Sequence, residues 1–157
     1  MARGDGTGKG VNVDKGFLLP NGVLKIIEVV INIAVMACIG TVWGGDLQFV
    51  MAIAVIYFLW TLLMFFCFLF CVPDMIGGKK PWNIADLVHD VLAVFGYFVC
   101  FIIGCVWAGN ARYHVFWYFF SSNLIALAIF TFLNLVAYII SLVFCVLEMQ
   151  GKPVGGK

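Results

Sequence analysis

From Leu47 to Val72 the chain carries no charged residue. Wound as an α-helix at about 1.5 Å per residue, that stretch outruns the roughly 30 Å hydrocarbon core of a bilayer. Three more apolar stretches accompany it: about Val23 to Trp43, about Leu87 to Ala108, and Val115 to Leu147. The last is too long for one perpendicular span, so its helix is placed at Asn123 to Leu147, with "YHVFWYFF" (113–120) at the interface, where Trp and Tyr are favoured. A soluble domain of 157 residues lacks the interior to hide so much apolar surface. Composition agrees: 64% of residues are hydrophobic and 11% charged, against about 45–50% and 25% in soluble domains.

The expected fold is therefore an all-α integral membrane protein, a four-transmembrane-helix bundle with left-handed packing. Its spans are 23–43, 47–72, 87–108 and 123–147 within a membrane domain of residues 17–148. Residues 1–16 and 149–157 are polar, Gly-rich tails, the first of them disordered. The first span is too long for a signal-peptide core and has no clear small-residue cleavage site. No internal repeat points to a transporter built from two related halves.

Orientation follows from the basic residues. With four spans both termini share a side, which holds Arg3, Lys9, Lys15, Lys25, Lys79, Lys80, Lys152 and Lys157, whereas the opposite side holds only Arg112. The positive-inside rule makes both termini and the 73–85 loop cytoplasmic. A net charge of +1 gives no reason to expect a nucleic-acid partner.

The six cysteines all lie within apolar runs, which is the wrong place for a disulfide framework of loops. Buried thiols acting as small hydrophobes are the plain reading. Cys71 and Cys145 fall near the cytoplasmic face, where acylation is the functional alternative.

The segment "PWNIADLVHD" (81–90) places Asp86, His89 and Asp90 on one face at the start of the third span. Pro81 suits a helix beginning, and Asn83 suits an N-cap with Asp86 three residues on. The first span offers Lys25, Glu28 and Asn32 at matching depth. Intramembrane ionisable groups face the bundle interior and pair, so the two sets are expected to meet across the first and third helices. Three readings of this set stay open. It is a polar latch that fixes helix register, a pH-sensitive switch working through His89, or a metal or proton-transfer site. For a metal, one His and two Asp are few ligands, and His114 is on the far side.

In lipid, helices associate through close packing and hydrogen bonds. Gly96, Cys100, Gly104 and Ala108 recur every four residues along the third span as a small-residue groove. Asn123, Thr131, Asn134, Ser141 and Cys145 make a polar seam on the fourth, read as packing or, alternatively, as a pore lining. Ala34 and Cys38 give the first span a shorter small face. The second span is aromatic all round, from Tyr57 to Phe70, and suits lipid contact or self-association.

The layout, a very short first outer loop, and "PWNIADLVHDVLAVFGYF" opening the third span resemble the MARVEL-domain proteins, the group that includes MAL, plasmolipin and the chemokine-like-factor family. Trp82, then Asp86 four residues on, then a His/acid pair and an aromatic run carry the resemblance. It covers residues 17–150 in layout and about 20 residues in motif. The aromatic segment before the fourth helix departs from that pattern, and the outer loops lack cysteines found in some members.

The resemblance implies a protein without catalytic residues or cofactors that organises membrane domains, membrane apposition or vesicle trafficking at the plasma membrane or endomembrane vesicles. Its partners would be membrane lipids and, by self-association or otherwise, membrane proteins. The alternative is a small proton-coupled transporter or channel subunit using Glu28, Asp86, His89 and Asp90.

Overall fold

A computed structural model describes residues 22–40, 44–70, 79–110 and 121–150. These residues form four helices: α1 (Val23–Ile39), α2 (Gly45–Leu69), α3 (Lys79–Asn110) and α4 (Ser121–Met149). Three of them, α2, α3 and α4, are long and apolar enough by themselves to cross a membrane. Each helix packs on its two neighbours in a ring ordered α1–α2–α3–α4, with α4 closing on α1. Helices α3 and α4 share the most extensive interface, and α2 and α3 the lightest.

The ring is set by which residues recur at heptad spacing. In α1 the buried residues are Lys25, Glu28, Asn32, Val35 and Ile39, alternating steps of three and four that keep one stripe facing inward. Leu47, Val50, Ala54, Thr61 and Met64 do the same in α2. Buried positions on α3 include Asp90, Ala93, Tyr97 and Cys100, and on α4 Leu124, Leu127, Thr131, Asn134, Tyr138 and Ser141. Large apolar side chains cover the outside, among them Val30, Ile56, Leu92, Phe95 and Ile129. This polarity suits lipid as the outer solvent.

The core has two halves. Toward the end that holds Lys25 and Ser141, charged, amide and hydroxyl side chains gather among apolar ones such as Met64 and Cys145. Toward the opposite end the buried side chains are Val35, Ile39, Leu47, Val50, Cys100, Leu124 and Leu127. Thr131 belongs to this apolar half without disturbing it, since its hydroxyl donates to the carbonyls of Leu127 (2.9 Å) and Ala128 (3.0 Å) in its own helix.

The small-residue groove of α3 serves two neighbours. A Cβ built on Gly96 would lie 3.0 Å from the Tyr57 ring of α2, and one on Gly104 would lie 3.2 Å from the Ala128 Cα of α4. A four-residue repeat drifts by about 40° per step around an α-helix. Two steps therefore turn the groove from one neighbour toward the next. Cys100, between them, is fully buried, and Ala108 packs half-buried against the core.

Two expectations need correcting. Helix α3 begins at Lys79, so Pro81 occupies its first turn and Asn83 lies inside the helix instead of capping it. Hydropathy marks where a chain enters hydrocarbon, and a helix starting in the interface precedes that point. In α2 the aromatic residues do not all face outward. Trp60, Phe66 and Phe70 are exposed, whereas Tyr57 packs against the core.

Candidate functional site: a polar core that joins all four helices

Lys25 is 3% exposed, and three carboxylates converge on its ammonium. Its Nζ lies 2.9 Å from Asp90 Oδ1, 3.1 Å from Asp86 Oδ1 and 3.5 Å from Glu28 Oε2. Spacings of three and four put Lys25 and Glu28 on one face of α1, and Asp86 and Asp90 on one face of α3. The ammonium thus spans the diagonal of the ring. Lys25 is thus an interior ion, and the excess of Lys and Arg on its side of the bilayer persists without it.

His89 turns the other way around α3. Its Nδ1 pairs with Asp90 Oδ1 at 3.1 Å. The ring stacks on Trp60 (centroids 5.9 Å apart, planes at 16°) and meets Tyr57 and Tyr138 edge-on at 5.3 and 5.8 Å. Ser141, buried on α4, approaches both Glu28 and Asp90.

One turn deeper, Asn32 is a hub. Its amide nitrogen donates to the Tyr138 hydroxyl at 3.3 Å, and its Oδ1 accepts from the Tyr97 hydroxyl and, at 3.2 Å, from Asn134 Nδ2. The Tyr138 hydroxyl continues to Thr61 Oγ1 at 3.0 Å. Since Tyr138 accepts from Asn32, its own proton is free for Thr61. Asn32 (α1), Thr61 (α2), Tyr97 (α3) and Tyr138 (α4) thereby link all four helices in one hydrogen-bonded cluster.

The residues singled out in the sequence fall as follows. Lys25, Glu28, Asn32, Asp86, His89 and Asp90 lie together, with Asn134 and Ser141 of the α4 seam. Asn123 is half-buried near the other end of α4. Cys145 is buried, and its Sγ donates to the Asn83 carbonyl at 3.5 Å, so the thiol faces α3 and is turned away from acyl chains. Cys71 lies outside the described residues, as do Arg112, His114 and the 113–120 stretch. The described cysteines, Cys38, Cys67, Cys100, Cys105 and Cys145, are free thiols. Sequence reading missed Tyr57, Thr61, Tyr97 and Tyr138. A signal existed: Tyr97 lies seven residues past Asp90, and Tyr138 lies between Asn134 and Ser141 at steps of four and three.

Several buried polar atoms remain without a hydrogen-bond partner among the described residues: both Glu28 oxygens, Asp90 Oδ2, His89 Nε2 and Asn134 Oδ1. Three carboxylates here surround one ammonium, in a region where an uncompensated charge is expensive.

An all-helical ring with apolar exterior and ionic interior defines the class of the protein: an integral, multi-pass membrane protein. Within that class the chain belongs to the MARVEL family, described as a membrane-associating domain, which matches residues 17–144. Its four helices are the four spans of that domain. MARVEL domain-containing protein 1 of Danio rerio is 28% identical to it over 80 residues, 48% of this chain and 49% of that protein. The chain thus spans about half the length of the curated relative it matches. No solved structure matches the chain.

Proposed function

We propose that this protein has no enzymatic role and organises membranes, forming lateral domains, apposing bilayers or sorting vesicle cargo, through side-by-side association of its bundle with lipids and other membrane proteins. The supporting observation is the division of labour between its surfaces. The polar side chains that carry chemistry are turned inward and hold one helix to another. The outward faces are apolar and are free to meet lipids or neighbours. In this reading Lys25, Glu28, Asn32, Asp86, His89 and Asp90 form a latch fixing helix register, and both termini are cytoplasmic.

Energy transfer between donor- and acceptor-labelled copies in liposomes, at fixed lipid-to-protein ratio, tests the association. Transfer above that of randomly distributed labels is expected, and transfer at the random level would sink the reading.

A transporter or channel subunit is the second reading, favoured by the burial of Glu28, Asp86, His89 and Asp90 in one place. It requires proton or solute flux in proteoliposomes that Glu28→Gln or Asp90→Asn abolishes with the fold intact.

A further inference from the structure

We propose that the ionic end of the core is a proton-binding site: Glu28 holds one proton in the folded protein at neutral pH, and the join between α1 and α3 depends on it. This adds a proton to the latch and is independent of how copies of the bundle associate.

The three carboxyl groups around Lys25 are not equivalent. Asp90 Oδ1 accepts from the ammonium at 2.9 Å and pairs with His89 Nδ1 at 3.1 Å. Asp86 is next at 3.1 Å, and its side chain is 13% exposed, so it keeps contact with the surface of the bundle. Glu28 is the most distant at 3.5 Å and is fully buried. Neither of its oxygens has a hydrogen-bond partner among the described residues. A carboxylate taken out of water with so little compensation neutralises by keeping its proton. Of the three, Glu28 meets that condition.

Its surroundings on every helix agree. Lys25 is the cation on α1. Helix α3 presents Asp86 and Asp90, with His89 paired to Asp90. Helix α4 presents Ser141, Tyr138 and, a turn further out, Cys145. Among the described residues α2 brings only the Tyr57 phenol, beside His89, because its one charged residue, Asp46, lies at its opposite end. An ionised Glu28 would thus be a third negative group sharing one ammonium. The proton also makes Glu28 a donor. Ser141 approaches both Glu28 and Asp90, and Asp90 Oδ2 is buried without a donor. The Glu28 O–H can donate to Ser141 Oγ and the serine hydrogen to Asp90, tying α1 to α4 and α4 to α3.

The sign of the pH dependence follows. An exposed glutamate has given up its proton above about pH 5. The folded chain then carries a proton that the unfolded chain lacks, and stability falls as pH rises through the point where Glu28 releases it. Ionised Glu28 repels the two aspartates, so the contact that weakens is that between α1 and α3.

The chain has two glutamates, Glu28 and Glu148. Infrared spectroscopy of the full chain in nanodiscs, with the glutamate carboxyl carbons isotopically labelled, therefore reads the proton directly. At neutral pH a protonated-carboxyl C=O band that moves with the label is expected. It should persist in Glu148→Gln and vanish in Glu28→Gln. The unfolding midpoint of the wild type in SDS should fall between about pH 6 and about pH 9. Glu28→Gln keeps the shape of the neutral acid, so it should retain helical content and lose most of that fall. Absence of the labelled band from the wild type at neutral pH would overturn the proposal, whether or not Glu28→Gln folds. A band that Glu148→Gln removes, or a pH dependence that Glu28→Gln leaves unchanged, would overturn it equally. None of these readouts needs contact between copies, so a failure here is separate from a failure of lateral association.

Discussion

At the scale of single residues, the core sets charge against lipid. A buried ion pair adds little net stability compared with apolar packing, but breaking one side of it is costly because the partner is stranded. Lys25→Met strands three carboxylates at once. It should cost about 3–5 kcal/mol, read as the shift of the unfolding midpoint in mixed micelles titrated with SDS. Lys25→Met combined with Asp90→Asn should recover part of the loss, because the double variant leaves one fewer negative charge unpaired. A loss that does not shrink in the double variant would mean that Lys25 acts through packing of its stem.

Asn32 is a neutral counterpart. Asn32→Leu removes the partner of Tyr97, Asn134 and Tyr138 together. Individual membrane hydrogen bonds contribute about 0.6 kcal/mol on average, so a loss of about 1–2 kcal/mol by the same SDS titration is expected. Lys25, Glu28 and Asn32 were readable from sequence because a charge or amide inside an apolar run has no other good place to go. Thr61, Tyr97 and Tyr138 were not, because Tyr and Thr are tolerated at a bilayer interface or facing lipid. Only their period separates an inward hydroxyl from an outward one.

At the scale of elements, Gly96 and Gly104 of α3 differ in what they face. Beyond Gly104 stands the backbone of Ala128, which cannot swing away. Beyond Gly96 stands the side chain of Tyr57, which can. Gly104→Val should therefore push α3 from α4 and destabilise by about 1–3 kcal/mol, whereas Gly96→Ala should cost less and mainly turn the Tyr57 ring away from His89. Equal losses in the SDS titration would contradict this ordering.

The same interface shields Cys145. Its thiol should resist N-ethylmaleimide in native membranes and react after SDS unfolding, as followed by mass of the labelled peptide. Rapid native labelling would show α3 and α4 parting at that end. The every-fourth-residue glycine pattern in α3 was legible in the sequence, but which neighbour each glycine serves was not. That depends on the accumulated drift of the stripe and on the order of helices around the ring, and neither is local.

At the scale of the whole molecule, the outer surface and the two halves of the core obey different requirements. Hydropathy found the four spans because the bilayer imposes one length and one polarity on each. It could not show that polar side chains gather at one end of the core, since that needs the relative depth of helices running in opposite directions.

The consequence is a barrier. Polar groups reach inward as far as Asn32, Asn134 and Tyr97, and beyond them Val35, Ile39, Leu47, Val50, Leu124 and Leu127 fill the interior. A proton arriving at Glu28 or Asp90 then faces a largely apolar plug in which the Thr131 hydroxyl is tied to carbonyls of its own helix. Wild-type protein in liposomes loaded with a pH-sensitive dye should therefore dissipate an imposed pH gradient no faster than protein-free liposomes. Opening the plug should change this. Ile39→Ala with Leu127→Ala removes bulk from two helices at the same depth, and a cavity joined to a polar layer admits water where an isolated apolar one stays dry. That double variant should leak protons, and adding Glu28→Gln should reduce the leak by removing a carboxylate from its path. A wild type that already conducts would place the transporter reading first. A double variant that folds yet stays tight would mean that the bundle closes over the lost side chains, and that the plug is more than the sum of two residues.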